Sequence, residues 1–529
     1  MQRSRLSRPR AGRQGGGRDH ARQVALAALC TLLFLTFLDN TIVSVGLGNI
    51  QTDLKASVAD LQWVVGGYAL TFASLMLACG MIGDELGRKK VMLAGAGVFC
   101  AGSVLCALAP NAQTLIAGRA IMGMGAAASE PGTLSVLRHI YTDDRARARA
   151  VGVWAAVSGL ALAMGPVIGG ALVGAWNWRG IFWFNLFFGL AALLVAAVVV
   201  PESSDHRQLR VDTLGTVLGA GALATLVFAI IDAETSSFAR PLVVGLLCAA
   251  VVLAAAFVLW ERRAANPLLD VKLFRNRWFT VPNIVAFCTY FATFAIFFFT
   301  ALYLDEVVMA SGYRIALVFA PMTVLMIVGS LLAGYWTSQI GPRWLIVAGC
   351  AAFAAGLLLA NPLITPHPDY LLLGLALALA GIGIGITVVP VTSTVLNAVV
   401  PERSGMAASA TNTSREIGAV TGVAVLGALV FSQLNASLTS HLLALNVPAG
   451  EKALILGFKS TIITFIETGQ VPTKYTAYGP IVNQVIGAAY ASFGQGLHDA
   501  LYLSAGLVIL AGLLAAVALG GRQPGPTSD

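Results

Sequence analysis

Residues 80–90 read GMIGDELGRKK and residues 334–344 read GYWTSQIGPRW. Gly80 and Gly334 stand 254 residues apart, as do Gly87 and Gly341, and both stretches are short polar loops set between long apolar runs. Two such loops in matching positions predict an internal repeat, which is how membrane-transporter folds most often betray themselves in sequence. Working outward, the apolar run that opens the first copy begins near Ala21 and its counterpart begins near Thr280, at nearly the same offset. The expected plan is two six-helix halves with two further helices between them.

Composition agrees with that plan. Of 529 residues, 57% are hydrophobic and only 11% are charged, whereas soluble domains carry about a quarter charged residues. Such a surplus of apolar surface has to face lipid, which excludes an ordinary water-soluble enzyme. The 56 glycines suit many closely packed spans rather than a single anchor. Runs of the roughly 20 apolar residues needed to cross a bilayer begin near Ala21, Leu61, Val91, Ala112, Val151 and Ile181, then near Val211 and Leu242, then near Thr280, Ile315, Trp344, Tyr370, Ala407 and Leu497. The reading is an all-α membrane protein with fourteen spans. Its divisions are a basic tail over 1–20, a bundle over 21–200, two inserted helices with flanking loops over 201–279, a second bundle over 280–520 and a tail over 521–529.

The net charge of +8 is explained by orientation. With both termini in the cytoplasm, 24 of the 33 Lys and Arg fall on inner segments and seven on outer ones, three of these (Lys452, Lys459, Lys474) in one long loop. The positive-inside bias therefore assigns the basic residues to topology and not to nucleic acid. That long loop, 432–496, includes EKALILGFKSTIITFIETG, read as amphipathic helices on the outer membrane surface. The seven cysteines (Cys30, Cys79, Cys100, Cys106, Cys248, Cys288, Cys350) sit in apolar runs without a CxxC pair and read as small buried hydrophobes. The six histidines lie in loops or near span ends, so no metal site and no cofactor are expected.

Several separated motifs carry a family resemblance. LDNTIVSVGLGNI (38–50), GMIGDELGRKK (80–90), RAIMGMGAA (119–127), GLALAMGPVIGG (159–170), WNWRGIFWFN (176–185), PLLDVKLFRNRWF (267–279) and GMAASATNTSREIGAVTGVAVLG (405–427) occur in order along the chain. Together they resemble the major facilitator superfamily, and within it the fourteen-span branch of drug:proton antiporters. Departures are Ser44, Gly46 and Gly48 in the first-span motif, Met122 in the fourth-span motif, and Ser338 and Pro342 in the second loop copy. The resemblance implies a secondary exporter of amphipathic drugs or antibiotics in the cytoplasmic membrane, rocking two halves around a central cavity. A lipid, peptide or endogenous metabolite as cargo stays open. A membrane enzyme or a sensor is disfavoured, because no Walker loop, HExxH or GxSxG set is present and no soluble domain is appended.

Ionisable residues inside spans are costly and therefore informative. Asp39 lies about six residues, and Arg119 about seven, from the outer ends of spans one and four, which puts both near 10 Å depth at 1.5 Å per residue. They are expected to meet, with Asp39 alternating between a proton and its positive partner. Glu416 lies near the middle of span thirteen, placed to take protons or attract a cationic cargo, while Arg415 points about 100° away. Asn412, one turn earlier, shares the face of Glu416. Asn40, Tyr68, Asn412 and Arg415 are the candidates for lining the cargo cavity; among other aromatic residues Trp63, Phe182, Tyr290 and Phe294 also qualify. Gly159, Gly165, Pro166, Gly169 and Gly170 strip bulk from one side of span five and remove a backbone hydrogen bond, which favours tight packing and a bend. The resemblance further implies a conformational gate in which Glu130 clasps Arg88 and Asp84 faces a helix amino terminus in the other half. The expected partners are cargo, protons and bilayer, with the chain acting as a monomer.

Overall fold

The computed structural model describes residues 15–141, 143–202, 212–235, 240–264, 267–400, 404–444 and 480–521. These are helical almost throughout. The long helices are α1 (Gly15–Ile42), α2 (Val58–Leu86), α3 (Arg88–Ala107), α4 (Ala112–Ile140), α5 (Asp144–Ala175), α6 (Arg179–Val199), α7 (Thr213–Thr235), α8 (Pro241–Glu261), α9 (Arg277–Ala295), α10 (Gly312–Ile340), α11 (Pro342–Ala360), α12 (Tyr370–Asn397), α13 (Ser404–Leu443) and α14 (Pro480–Ala518). Among the described residues, twelve spans are long and apolar enough to cross a membrane. The chain is a multi-pass membrane protein. The expected count of fourteen is not reached on those criteria: α4, although 29 residues long, is diluted by polar side chains such as Gln113, Arg119 and Glu130, and α2 is not among the twelve.

Local chemistry sets the helix ends. Ser57 and Asp60 form a reciprocal capping box at the start of α2, and Asn111, Asp143 and Asp369 cap α4, α5 and α12 through their side-chain oxygens. The two loop copies turn on the glycines that define the repeat: Gly87 has φ of 112° and Gly341 has φ of 85°, a region closed to most side chains. The apolar run of α1 is not one helix. It passes through a 3-10 turn (Val43–Gly46) into a short helix (Leu47–Leu54), and α9 likewise passes through a π-helical turn (Ile296–Thr300) into a short helix (Ala301–Glu306).

The repeat governs packing. In the first half α2 packs on α4, α3 on α4, α1 on α5 and α3 on α6; in the second half α10 packs on α12, α11 on α12, α9 on α13 and α11 on α14. The halves meet along two seams, α5 against α10 and α2 against α13, which the repeat interchanges. The inserted α7 lies over the second seam, touching both α2 and α13, and α8 packs outside it. Ala69 and Leu70 of α2, Val227, Ile230 and Ile231 of α7, and Val420, Ala424 and Ala428 of α13 form a separate apolar cluster there.

Contact between the halves is graded along the seams. At the end of the bundle that holds Asn111, a Cβ on Gly170 would lie 2.6 Å from Ala316 and one on Gly174 would lie 2.7 Å from the Tyr313 ring. Asn49, in the short helix after α1, there donates its side-chain amide to Asp305 at 3.3 Å. Toward the other end, Gly159 finds only Ser330 at 3.6 Å, and Gly334 has nothing within 4 Å among the described residues. The halves are thus pressed together at one end and looser at the other.

Three expectations are corrected. Helix α13 continues to Leu443 and α14 begins at Pro480, so both penetrate the stretch expected to be a loop over 432–496; residues 445–479, with the expected surface helices, lie outside the described residues. Helix α1 starts at Gly15, inside the expected tail. Cys248 is exposed on α8 and Cys79 is half-buried, so not every cysteine is a core residue.

Candidate functional site

Asp39 and Arg119 meet at the centre of the first half, where the pair is fully buried and joined by an ion pair. Each partner is further held. Arg119 Nε donates to the Val64 carbonyl of α2 at 2.9 Å and its guanidinium lies 4.4 Å from the Tyr68 ring centroid. Asn185 of α6 donates to the second Asp39 oxygen at 2.5 Å, and the Tyr68 hydroxyl donates to the Thr36 carbonyl at 2.9 Å. Four helices therefore fix one charge pair. A buried pair is held this tightly because an unpaired charge in the same place costs several kcal/mol.

Beside that pair the two halves exchange hydrogen bonds in both directions. Asn40 Nδ2, next to Asp39 on α1, donates to Glu416 Oε1 of α13 at 3.0 Å. Asn412 Nδ2 of α13 donates to Glu130 Oε1 of α4 at 2.9 Å. Arg415 donates to Asn412 Oδ1 at 3.1 Å and to Thr392 Oγ1 of α12 at 2.7 Å, and its guanidinium lies 5.4 Å from the Tyr290 ring of α9. All of Asn40, Glu130, Asn412, Arg415 and Glu416 are buried. Glu416 Oε2 and Arg415 Nε have no hydrogen-bond partner among the described residues.

The expected site residues are therefore largely brought together: Asp39, Asn40, Tyr68, Arg119, Glu130, Asn412, Arg415 and Glu416 make one network across the interface, and neither Asp39 nor Glu416 faces lipid. Asn412 and Glu416 share a face as their one-turn spacing predicts, and Arg415 turns toward α9 and α12. Glu130 is the exception to its expected pairing. The hydrogen bond that holds it is to Asn412, which draws it toward the interface rather than to Arg88. The side chain of Asp84 lies outside the described part of the structure. Gly165 and Gly169 press α5 on α1: a Cβ at Gly165 would sit 1.9 Å from Thr41 Oγ1, and Thr41 donates to the Leu162 carbonyl at 2.9 Å, in the turn before Pro166.

Asn185, Thr392 and the Val64 carbonyl are additions. Asn185 was legible, as a polar residue in the middle of the otherwise apolar α6, whereas a backbone carbonyl leaves no sequence signal. Of the other aromatics, Tyr290 stacks with Phe294 beside Arg415, Phe182 packs on Trp178, and Trp63 packs on Phe228 of the inserted α7.

The arrangement places three buried carboxylates, Asp39, Glu130 and Glu416, close to the interface between the halves. The profile of the Major Facilitator Superfamily matches residues 29–423. The chain belongs to this superfamily. Among its relatives in the superfamily, a methylenomycin A resistance protein of Bacillus subtilis (strain 168) is 36% identical over 405 residues, covering 77% of this chain and 87% of that protein. The multidrug resistance protein Stp of Mycobacterium tuberculosis (strain CDC 1551 / Oshkosh) is 34% identical, covering 78% and 76%. The fold is also that of a bacterial homologue of the human lysosomal transporter Spinster, solved in an inward-facing and occupied conformation, with a TM-score of 0.63 at 16% identity over 94% of this chain and 97% of that one.

Proposed function

We propose that this major facilitator protein is a proton-coupled exporter of amphipathic drugs or antibiotics across the cytoplasmic membrane, a transporter and not an enzyme. The observation that carries the reading is the buried Asp39–Arg119 pair set beside two more carboxylates, Glu130 and Glu416, at the interface of two halves. Carboxylates in such surroundings are proton carriers when a motion can expose them alternately to the two sides. The relatives concerned with methylenomycin A and multidrug resistance support a drug cargo.

In this reading α2 and α4 also cross the bilayer, making fourteen spans. At 29 residues and 1.5 Å per residue each is roughly 43 Å long, and their polar residues serve the interior network rather than lipid. Both termini are cytoplasmic, the Asn111 end faces outward and the chain works as a monomer. Asp39, Arg119 and Glu416 couple protons; Tyr68 and Arg415 line the cargo path. Asp84, Arg88, Glu130, Gly165 and Pro166 act in the conformational change, with α5 bending at Pro166 as its glycine face rolls on α1.

Reconstituted proteoliposomes test this. A cationic dye should accumulate against its gradient when the extracytoplasmic face is acid, and a protonophore should stop it. Asp39→Asn should abolish uphill transport; full proton-driven export by that variant overturns the reading. A panel of cationic and neutral compounds with Glu416→Gln should show the larger loss for cations.

A further inference from the structure

The two hydrogen bonds between Asn40 and Glu416 and between Asn412 and Glu130 cross the interface in opposite senses. Each half supplies one carboxylate and one carboxamide. They also close a circuit. Asp39 and Asn40 are neighbours on α1; Asp39 pairs with Arg119 of α4; Glu130 of α4 is held by Asn412 of α13; and Glu416 of α13, one turn on, is held by Asn40. We infer that Asn40 and Asn412 are positioning residues that convert the protonation state of Glu416 and Glu130 into adhesion between the two halves, an assignment that rests on the proton-coupled export reading and replaces a role for either amide as a free cargo contact.

The chemistry is specific to a carboxamide opposite a carboxylate. An Asn NH₂ group donates to an ionised carboxylate through a charge-assisted bond, about twice as strong as the bond to a neutral acid. A proton arriving on either Glu therefore weakens a clasp between halves, and its departure restores it. The free oxygen, Glu416 Oε2, has no partner among the described residues and is fully buried, so a proton or a donor from the cargo can be taken there without first breaking the Asn40 contact. The charged and titratable groups around the clasps are Arg415 on the same helix, Asp39 on α1, Tyr68 on α2, Arg119 on α4 and Tyr290 on α9; Tyr68 lies within electrostatic reach of Asp39, Arg119, Glu130 and Glu416 alike. Among the described residues, no lysine or histidine belongs to the set. Because Arg119 and Arg415 each have other acceptors, the Val64 carbonyl and Thr392, the Asn bonds are the contacts that join the halves most directly at this level.

The test compares uphill and downhill flux in proteoliposomes. Asn40→Leu and Asn412→Leu, close in volume but without a donor, should each lose about tenfold more of the pH-gradient-driven accumulation than of the downhill counterflow of the same dye. The pH dependence of the remaining flux should flatten. Asn40→Gln, which keeps the carboxamide on a longer stem, should restore part of the coupling ratio. Size-exclusion profiles separate a misfolded variant, and if the Leu variants do not fold, Asn40→Ala and Asn412→Ala, which also lack a donor, give the same comparison. Equal loss of both fluxes, or wild-type coupling and pH profile in the donor-free variants, overturns the assignment. Absence of proton-driven accumulation in the wild-type protein would instead overturn the export reading on which it rests.

Discussion

Asp39 and Arg119 bring the sharpest energetic argument down to two side chains. Removing one charge strands the other in the protein interior, at a cost of about 3–5 kcal/mol, whereas removing both at similar volume is often tolerated. Asp39→Asn should therefore lower the unfolding temperature of the purified protein by several degrees and abolish uphill export. The double variant Asp39→Asn, Arg119→Met should recover most of the lost temperature and none of the transport. Recovery of transport in the double variant would show the pair to be a structural pin. At this scale the sequence was informative wherever a charge or amide interrupts an apolar run: Asp39, Arg119, Asn412, Arg415 and Glu416 stand out because lipid-facing positions do not tolerate them. It was silent about direction. Glu130 lies on a helix whose position allows it to turn toward Arg88 or toward α13, and only the packing of α4 against the second half, with Asn412 on the facing side, decides between them. Gln62 poses the same problem in another form. It is fully buried beside Gly427 at the α2–α13 seam, and neither its amide nitrogen nor its oxygen has a hydrogen-bond partner among the described residues. Such an amide disfavours the closed seam by about 1–3 kcal/mol, so Gln62→Leu should shift the population toward closure at this end. Spin-label distances between the starts of α2 and the end of α13 would read the shift.

Helices α5 and α10 show how the glycine pattern becomes a hinge. The seam is tight at Gly170 and Gly174 and loose at Gly159 and Gly334, so the same substitution should have opposite consequences at its two ends. Gly170→Val has no room beside Ala316 and should hold that end apart, cutting export at least tenfold while leaving the protein in the membrane. Gly334→Val has open space in this state, and its effect on export should appear only insofar as that end must close. Efflux assays on the two variants, normalised to membrane protein, distinguish them. The glycine stripe was legible in sequence from its spacing, and so were the starts of most helices, because capping residues such as Ser57, Asn111 and Asp369 flank the apolar runs. The extent of α13 and α14 was not. Residues 432–443 and 480–496 carry many polar side chains, among them Gln433, Ser437, Gln484 and Gln495, which reads as loop on composition; they are helical because their apolar members are buried, Leu434 and Phe493 in the common core. The breaks after α1 and α9 were equally hidden, since Val43–Gly46 and Ile296–Thr300 carry no proline and look like continuous span.

Across the whole molecule the inserted pair α7 and α8 has a position that the repeat alone does not require. A two-half transporter needs its seams to open and close, yet α7 rests on α2 of one half and α13 of the other. It bridges the α2–α13 seam, and Val227 is buried there while Val251 of α8 is 69% exposed to the surroundings. Two consequences can be separated. If α7 stabilises the closed seam, Val227→Ala should remove about 1 kcal/mol of packing, lower the unfolding temperature slightly and change the rate of export without changing which compounds are exported. Val251→Ala, on the face turned away from the bundle, should do neither. Grafting a helix pair of unrelated apolar sequence in place of residues 213–261 extends the comparison: the two six-helix halves retain their own cores, so the protein should still fold, while turnover falls because the seam has lost its fitted cover. Wild-type turnover by the graft would mean that α7 and α8 are passive spacers, and the coupling between proton and cargo would then reside wholly in the network of α1, α4 and α13.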